Sequence, residues 1–335
     1  MSFWKSYELA VDFGSSNTAV SIKGRGVVFN EPTVIAINTK SKKVIAIGHK
    51  AKNMLGREHA DIAVIKPVER GIIKDVKAAQ IMIHCIISQC LKGTLLKPSV
   101  MLCAPKNITE TDKKTFSAAF CSAGAKKVHI VPSPVSTAMG NGLNVTNPSG
   151  RLIVNFGGGI CEISIVTLGT VAVHSQLDIG SMDFDRKIID YIKNTYEILI
   201  GEITAEKIKT SIGSVLENDD EEFFIAKGKS LSTGLPSVAR ITSGEIKHIF
   251  LGDAKKIAEE IRDVVTKAPA ELVSDVEKYG IIITGNGSRL KGFKELIDSV
   301  TGLKSSYSAD ILCCTVAGVQ KASDQKETLI KTGVI

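Results

Sequence analysis

One short stretch occurs twice in this chain, and no other feature restricts its fold as tightly. Set against each other without gaps, LAVDFGSSNTAVSI (residues 9–22) and LIVNFGGGICEISI (residues 152–165) agree at the Leu, Val, Phe, first Gly, Ser and final Ile positions. Each copy reads as a short buried strand, a turn of small residues and a returning strand. A match at a single offset points to one duplicated unit, since a solenoid needs several copies at short period. Strand pattern continues over 27–29 and 34–37 after the first copy, with Gly24 and Gly26 as turns, and over 171–174 after the second. Helical periodicity then runs over 77–91 and 111–123, and later over 183–196, 205–213 and 244–267. A late strand, 280–284, leads through Gly285-Asn-Gly287 into a helix expected from about 290 to 300. Two related halves of strands and helices describe an α/β chain. Its 335 residues exceed what one core usually organises, and 44% hydrophobic with 23% charged residues excludes general disorder.

A small-residue turn directly after a buried strand lets backbone N–H groups approach an anion with no side chain in the way. A single such turn is as readily a tight turn and nothing more. Here Gly14-Ser-Ser-Asn-Thr18 and Gly157-Gly-Gly159 occupy equivalent places, and Gly285-Asn-Gly287 adds a third that is expected to open a helix. Together they favour a polyphosphate held in a cleft between the halves. There is no GxxxxGK[ST] run, and neither hairpin turn reads GxGxxG into a helix, so P-loop and dinucleotide-binding folds are set aside. Asp12 leads into the first turn, where a carboxylate either holds hydrated Mg²⁺ against bound phosphates or caps the turn.

Lysine and arginine number 42 against 35 acidic residues, a formal charge of +7 that permits an anionic partner without demanding one. The basic residues are dispersed and aromatics are 5%, which argues against nucleic acid. Seven cysteines (85, 90, 103, 121, 161, 313, 314) form no CxxC pair, and most sit in apolar runs. Reduced, buried thiols in a cytoplasmic protein are the expectation, in keeping with the lack of any eighteen-residue apolar run or leader-like start.

Longer stretches then carry a resemblance. VDFGSSNTAVSIKGRGVVFNEPTVIAI (11–37), GHKAKNMLG (48–56), GLNVTNPSG (142–150), TAEKIKTSIG (204–213), LSTGLP (231–236) and PAELVSD (269–275) are similar, from end to end of the chain, to the bacterial actin MreB family of the actin/Hsp70/sugar-kinase superfamily. The resemblance implies a duplicated, ribonuclease H-like α/β fold of two domains in four subdomains around a nucleotide cleft. These would be IA (1–33, 77–142 and 303–335), IB (34–76), IIA (143–180 and 243–302) and IIB (181–242). It implies ATP or ADP with Mg²⁺, the metal near Asp12 through water. Gly14, Ser15, Ser16, Asn17 and Thr18 would grip the phosphates from one half, and Gly157, Gly158, Gly159 and Ile160 from the other. Glu206, Lys207 and Lys209 would flank the nucleoside, and Gly285, Asn286, Gly287, Ser288 and Arg289 would close around the adenine. Read alone, Glu206 and Lys209, one helical turn apart, are an ordinary surface ion pair.

The departures from the family pattern bear on chemistry. Where the family places a water-orienting glutamate before a proline, this chain has Ser133, and its second hairpin carries Asn155 in place of an aspartate. Ile160 and Cys161 stand at the usual threonines, and Asn286 where glycine is common. Serine has no accessible basicity near neutral pH, and asparagine carries no charge for a metal shell. Losing a positioned base costs ~10²–10⁴-fold in rate, whereas backbone contacts to phosphate do not depend on those side chains. The expectation is ATP binding with weak or absent hydrolysis, with Glu162 nearby in sequence as the carboxylate able to rescue turnover.

Phe3 and Trp4, the latter the only tryptophan, precede the first strand, and Leu95 and Leu96 sit between Lys92 and Lys97. These are candidate membrane contacts at the inner face of the cell membrane; the alternative is that they fold back onto the domain. The resemblance further implies self-assembly into head-to-tail protofilaments, commonly paired antiparallel, and paralogous partners, with a role in cell shape or, in a wall-less cell, motility. A small-molecule kinase of the same superfamily is the alternative, although Asn155 sits where its acceptor-activating carboxylate would be sought. A chaperone, which needs a further peptide-binding domain, ranks third.

Overall fold

The computed structural model describes residues 7–92, 96–216 and 221–331. Leu9, Ala10, Val11 and Phe13 are all buried, because the strand Glu8–Phe13 is covered on both faces. Leu9, Val11 and Phe13 face a core built with the helices Val76–Cys90 and Glu110–Ser122, while Ala10 faces a second core between the halves. The strand Arg151–Phe156 repeats the alternation: Leu152, Val154 and Phe156 join the core of the second half, and Ile153 faces the shared one.

Each central strand runs antiparallel to its hairpin partner and parallel to a later strand. The first sheet is ordered Lys127–Pro132, Ser99–Ala104, Glu8–Phe13, Asn17–Ile22, Gly26–Pro32. The second, read from the other edge, is Ser305–Tyr307, Ile281–Thr284, Arg151–Phe156, Cys161–Thr167, Thr170–Leu177. The repeat in sequence is therefore a repeat in space. Two smaller antiparallel sheets flank the cleft, Val44–Ile47/Ile35–Asn38/Ile62–Ile65 and Ile198–Leu199/Phe223–Ser230/Pro236–Thr242.

The helix Ser133–Gly140 leaves the first sheet and packs on the second, and Cys314–Asp324 leaves the second and packs on the first. Where they cross, backbone touches backbone. A Cβ on Gly318 would lie 1.6 Å from the Ser136 carbonyl oxygen, and one on Gly140 1.8 Å from that of Cys314. Around the crossing, Val135, Ala138, Met139, Val316, Val319 and Ala322 close the shared core with Met101, Cys103, Ile153 and Val166.

Helix starts follow their caps. Glu110–Ser122 and Ser243–Thr266 begin at Thr109 and Thr242, whose hydroxyls accept from the N3 amides of Asp112 and Glu245 while those carboxylates accept from the cap amides. Both lie within a residue of the sequence expectation. Ser181–Tyr196 and Glu202–Ile212 start earlier than expected because glycines, Gly180 and Gly201, precede them without a side-chain signal. The expected helix over 290–300 begins only at Phe293. Gly292, at φ +81°, interrupts the chain, and Gly285 opens a short 3₁₀ turn, Asn286–Arg289, instead. Cys90, Cys103, Cys161 and Cys314 are buried as expected, but Cys85 and Cys313 are partly accessible and Cys121 is exposed.

Replacing Gly318 with alanine is expected to lower unfolding stability by about 1–3 kcal/mol through overpacking. Gly252→Ala, mid-helix with nothing within 4 Å of the added methyl, should instead raise it slightly. Urea denaturation of the two variants checks the contrast.

Candidate functional site

The two hairpin turns meet at the mouth of the cleft. In the first, Gly14 N–H donates to Asn17 O (3.1 Å) and Thr33 N–H to Ser16 O (2.9 Å). In the second, Gly157 N–H donates to Ile160 O (2.9 Å), while the Gly157 and Gly158 carbonyls accept from the Ser181 and Met182 amides (both 2.9 Å) at the start of the helix Ser181–Tyr196. Gly158 and Gly159 have no room for a side chain: a Cβ there would sit 2.4 Å from Ser16 Cβ and 2.9 Å from Ser15 Oγ respectively. Gly285, at φ +84°, packs as tightly on the Phe156 carbonyl. Among the described residues the amides of Ser15, Ser16, Gly158, Gly159 and Ile160 carry no hydrogen bond, which leaves a nest of donors suited to an anion. The third turn contributes no helix N-terminus, contrary to expectation, because its 3₁₀ turn ends well before Phe293.

Two cavities open from this junction and share Ser15, Ser16 and Asn286. The smaller, about 140 Å³, is lined by Asp12, Gly14–Asn17, Ser133, Asn155, Gly157–Ile160, Glu162 and Gly285. The larger, about 350 Å³, lies between Pro32, Val34, Lys52, Leu55 and Lys66 on one side and Phe184, Ile189, Ile203, Glu206, Lys209, Gly287 and Arg289 on the other. Its lining carries Lys52, Lys66, Arg186, Lys209, Arg289 and Lys291 against Asp185, Glu202 and Glu206, a basic excess that complements a polyphosphate.

Most residues expected from the sequence come together here, but their pairing differs. Glu206 and Lys209 do not pair with each other. Glu206 bonds Lys52 across the cleft (2.6 Å), and Lys209 bonds Asp185 (2.8 Å) and the Ser181 carbonyl (2.7 Å). Burial raises the Asp185 carboxyl to about 6 against the pull of Lys209, and its Oδ1 is a buried acceptor with no partner. Lys66 pairs with Glu202, a second bond across the cleft. Four expected residues line neither cavity. Lys207 is exposed, Thr18 is buried on Thr33 (2.9 Å), Ser288 donates to Gly285 O (2.7 Å), and Cys161 is buried, its thiol pushed well up by burial. Phe3, Trp4 and Leu95 lie outside the described residues; Leu96 is exposed. Among the described residues no helix is long and apolar enough to cross a membrane.

The chemistry-bearing corner is the floor of the smaller cavity. Asn155 Nδ2 donates to Ser133 Oγ (3.3 Å), so the two departures from the family pattern are bonded to each other. Beside them Glu162 Oε1 accepts from Lys106 N–H (3.0 Å). Burial raises Glu162, and burial with the neighbouring Glu162 charge pushes Asp12 up to about 7. Asp12 has no protein hydrogen-bond partner among the described residues. An unpartnered carboxylate among oxygen donors fits a hydrated Mg²⁺, which prefers such ligands and keeps its waters; a cation there would reverse the upward shift.

Sheets of like topology joined by crossing helices, with glycine loops meeting across a cleft, define an actin-like protein. Residues 6–331 match the MreB/Mbl protein family, and the chain belongs to that family. It is 34% identical over 323 residues to the cell shape-determining protein MreB of Escherichia coli (strain K12), covering 95% of this chain and 93% of that protein. The crystal structure of MreB5 of Spiroplasma citri bound to ADP superposes with a TM-score of 0.91 at 30% identity, covering 98% and 99% of the two chains. The same protein bound to AMPPNP gives 0.89 at 29% identity, with the same coverage.

A carboxyl held above its ordinary value favours the protonated fold, so its contribution to stability is present at low pH and is lost as pH rises from about 4 through about 7. Ligand-free Asp12→Asn protein is therefore expected to gain on the unmodified protein steadily as pH rises from about 4 to about 7 and to melt above it at pH 8. Thermal scans across that range check the divergence.

Proposed function

We propose that this chain is an ATP-binding subunit of a cytoskeletal filament in which nucleotide occupancy, with little or no hydrolysis, controls assembly. The observation that carries the reading is the nest of unpaired amides where the two glycine turns meet, opening into a basic cavity. Triphosphate would lie along Ser15, Ser16 and Gly158–Ile160, with Mg²⁺ offsetting its charge beside Asp12. Nucleoside would extend toward Lys209, Asn286 and Arg289, where the unpartnered Asp185 Oδ1 is an acceptor that a ribose hydroxyl would satisfy. The ADP- and AMPPNP-bound states of the Spiroplasma citri relative support the same ligand class. Four subdomains divided as in the sequence reading would enclose it.

Hydrolysis needs an acceptor that orients the attacking water. Ser133 carries only a hydroxyl, bonded by the Asn155 amide, the nearby Glu162 carboxylate already accepts from the Lys106 amide, and Asp12 is taken up by Mg²⁺ in this reading. Slower chemistry by ~10²–10⁴-fold follows from the missing base alone.

The name of the Escherichia coli relative, a cell shape-determining protein, supports a filament role in cell shape; motility in a wall-less cell is the corresponding output there. Self-assembly would be head-to-tail, an open heterologous contact, with protofilaments paired antiparallel and paralogues as further partners. Phe3, Trp4, Leu95 and Leu96 would contact the inner face of the membrane. Each side chain contributes roughly 1.5–3 kcal/mol at most, so stable attachment would come from avidity along the filament.

Phosphate release by the unmodified protein should be at least ~10²-fold slower than by Ser133→Glu/Asn155→Asp; equal rates would remove the hydrolysis part of the reading. Because the double variant adds charge beside Asp12 and Glu162, its gain should require Mg²⁺. Electron microscopy should show filaments with ATP and with a non-hydrolysable analogue alike. Sedimentation with anionic liposomes should fall in Trp4→Ala/Leu95→Ser/Leu96→Ser protein, and unchanged binding would count against the membrane contact.

A further inference from the structure

A third element touches both glycine turns. The strands Val68–Glu69 and Ile72–Ile73 form a minimal hairpin whose two turn residues, Arg70 (φ +47°) and Gly71 (φ +74°), are both left-handed. That turn ordinarily takes Asn-Gly, and a long charged side chain at its first position is unfavourable unless its surroundings compensate. They do so here. Gly71 N–H donates to Ser15 Oγ in the first turn (2.9 Å). Arg70 Nη1 donates to the Gly159 carbonyl in the second (3.2 Å) and to the Asp178 carbonyl. Arg70 Nη2 meets Asp183 Oδ1 (3.1 Å), and Arg186 bridges that same carboxylate (3.1 Å) to Glu69 (3.3 Å).

Peptide planarity gives these contacts a directional meaning. The C=O of one residue and the N–H of the next point in opposite directions. The Gly157 and Gly158 carbonyls are tied back by the Ser181 and Met182 amides, which sends the Gly158 and Gly159 N–H groups the other way. The Gly159 carbonyl has no helix amide. Its anchor is Arg70, and the N–H that this anchor aims belongs to Ile160, which lines the smaller cavity.

We propose that Arg70 is a positioning residue of the phosphate site: by holding the Gly159 carbonyl it aims the Ile160 amide at the ligand, and by holding Asp183 it ties ligand grip to closure of the two halves. The inference rests on the nucleotide reading above and adds the residue that sets the third donor. A salt bridge alone would be satisfied by a single charge; the guanidinium fork is needed because it serves two carbonyls and a carboxylate at once.

Arg70→Asn is the decisive variant, because asparagine suits a left-handed turn and preserves the hairpin while deleting the guanidinium. Dissociation of a fluorescent N-methylanthraniloyl ATP with Mg²⁺, followed by stopped flow, should quicken about tenfold or more. The thermal midpoint of the ligand-free protein should stay within the range set by other surface variants. Arg70→Lys should recover only part of the loss. In ligand-free protein, hydrogen exchange at the Ser181 and Met182 amides should also quicken in Arg70→Asn, since the loop they hold loses its other anchor. Unchanged dissociation together with unchanged exchange would overturn the proposal. If the unmodified protein binds no nucleotide, the function reading falls, and the exchange comparison alone decides whether Arg70 positions the loop.

Discussion

Two backbone loops in van der Waals contact across a cleft are the constraint on which the rest of the molecule depends. Ser15 and Ser16 occupy the space that a side chain at Gly158 or Gly159 would need, so the halves can approach only because the second loop is bare backbone. Everything larger serves that approach. The duplicated sheets bring equivalent hairpin ends to the same edge, the crossed helices set the angle between the sheets, and the helix after the second turn holds its carbonyls away from the cavity. Because the contact leaves amides unpaired, the junction stores binding capacity for an anion that neither half offers alone.

The same geometry separates gripping from cutting. In the proposed function grip would come from main-chain donors, which survive side-chain replacement, whereas cutting would need particular side chains facing the terminal phosphate. Ser133 and Asn155, the two residues set apart in the sequence, are bonded to each other. A hydrogen-bonded neutral pair is a settled arrangement. The acidic character left there belongs to Asp12 and Glu162; burial, with the Glu162 charge adding to it, pushes the Asp12 carboxyl up to about 7.

How much of this was legible in the sequence depended on whether the cause was local. The hairpins, their small-residue turns and the two helices with capping boxes are local, and each appears in the structure close to where the hydrophobic pattern put it. The departures at Ser133 and Asn155 were visible once the family resemblance was in hand, but their bond to each other was not, because it joins the first residue of a helix to a strand of the second sheet. Glu206 and Lys209 show the converse failure. Their spacing suggested a mutual pair, yet each finds a partner from another element, Lys52 and Asp185, at distances in sequence that no window spans. The late helix was misplaced because the 3₁₀ turn ends at Arg289 and left-handed Gly292 delays the helix to Phe293, and a lone glycine inside an apolar pattern is ambiguous. Arg70 had no signal at all: an arginine before a glycine reads as an ordinary turn until three acceptors converge on it.

The crossing of Ser133–Gly140 with Cys314–Asp324 carries an evolutionary consequence. At most packed contacts a gain in size on one side can be absorbed by a loss on the other, and lineages drift through such exchanges. Gly140 and Gly318 face carbonyl oxygens of the opposing helix, and main-chain atoms cannot shrink. Neither position therefore has a compensating partner, and the pivot between the halves is closed to gradual divergence.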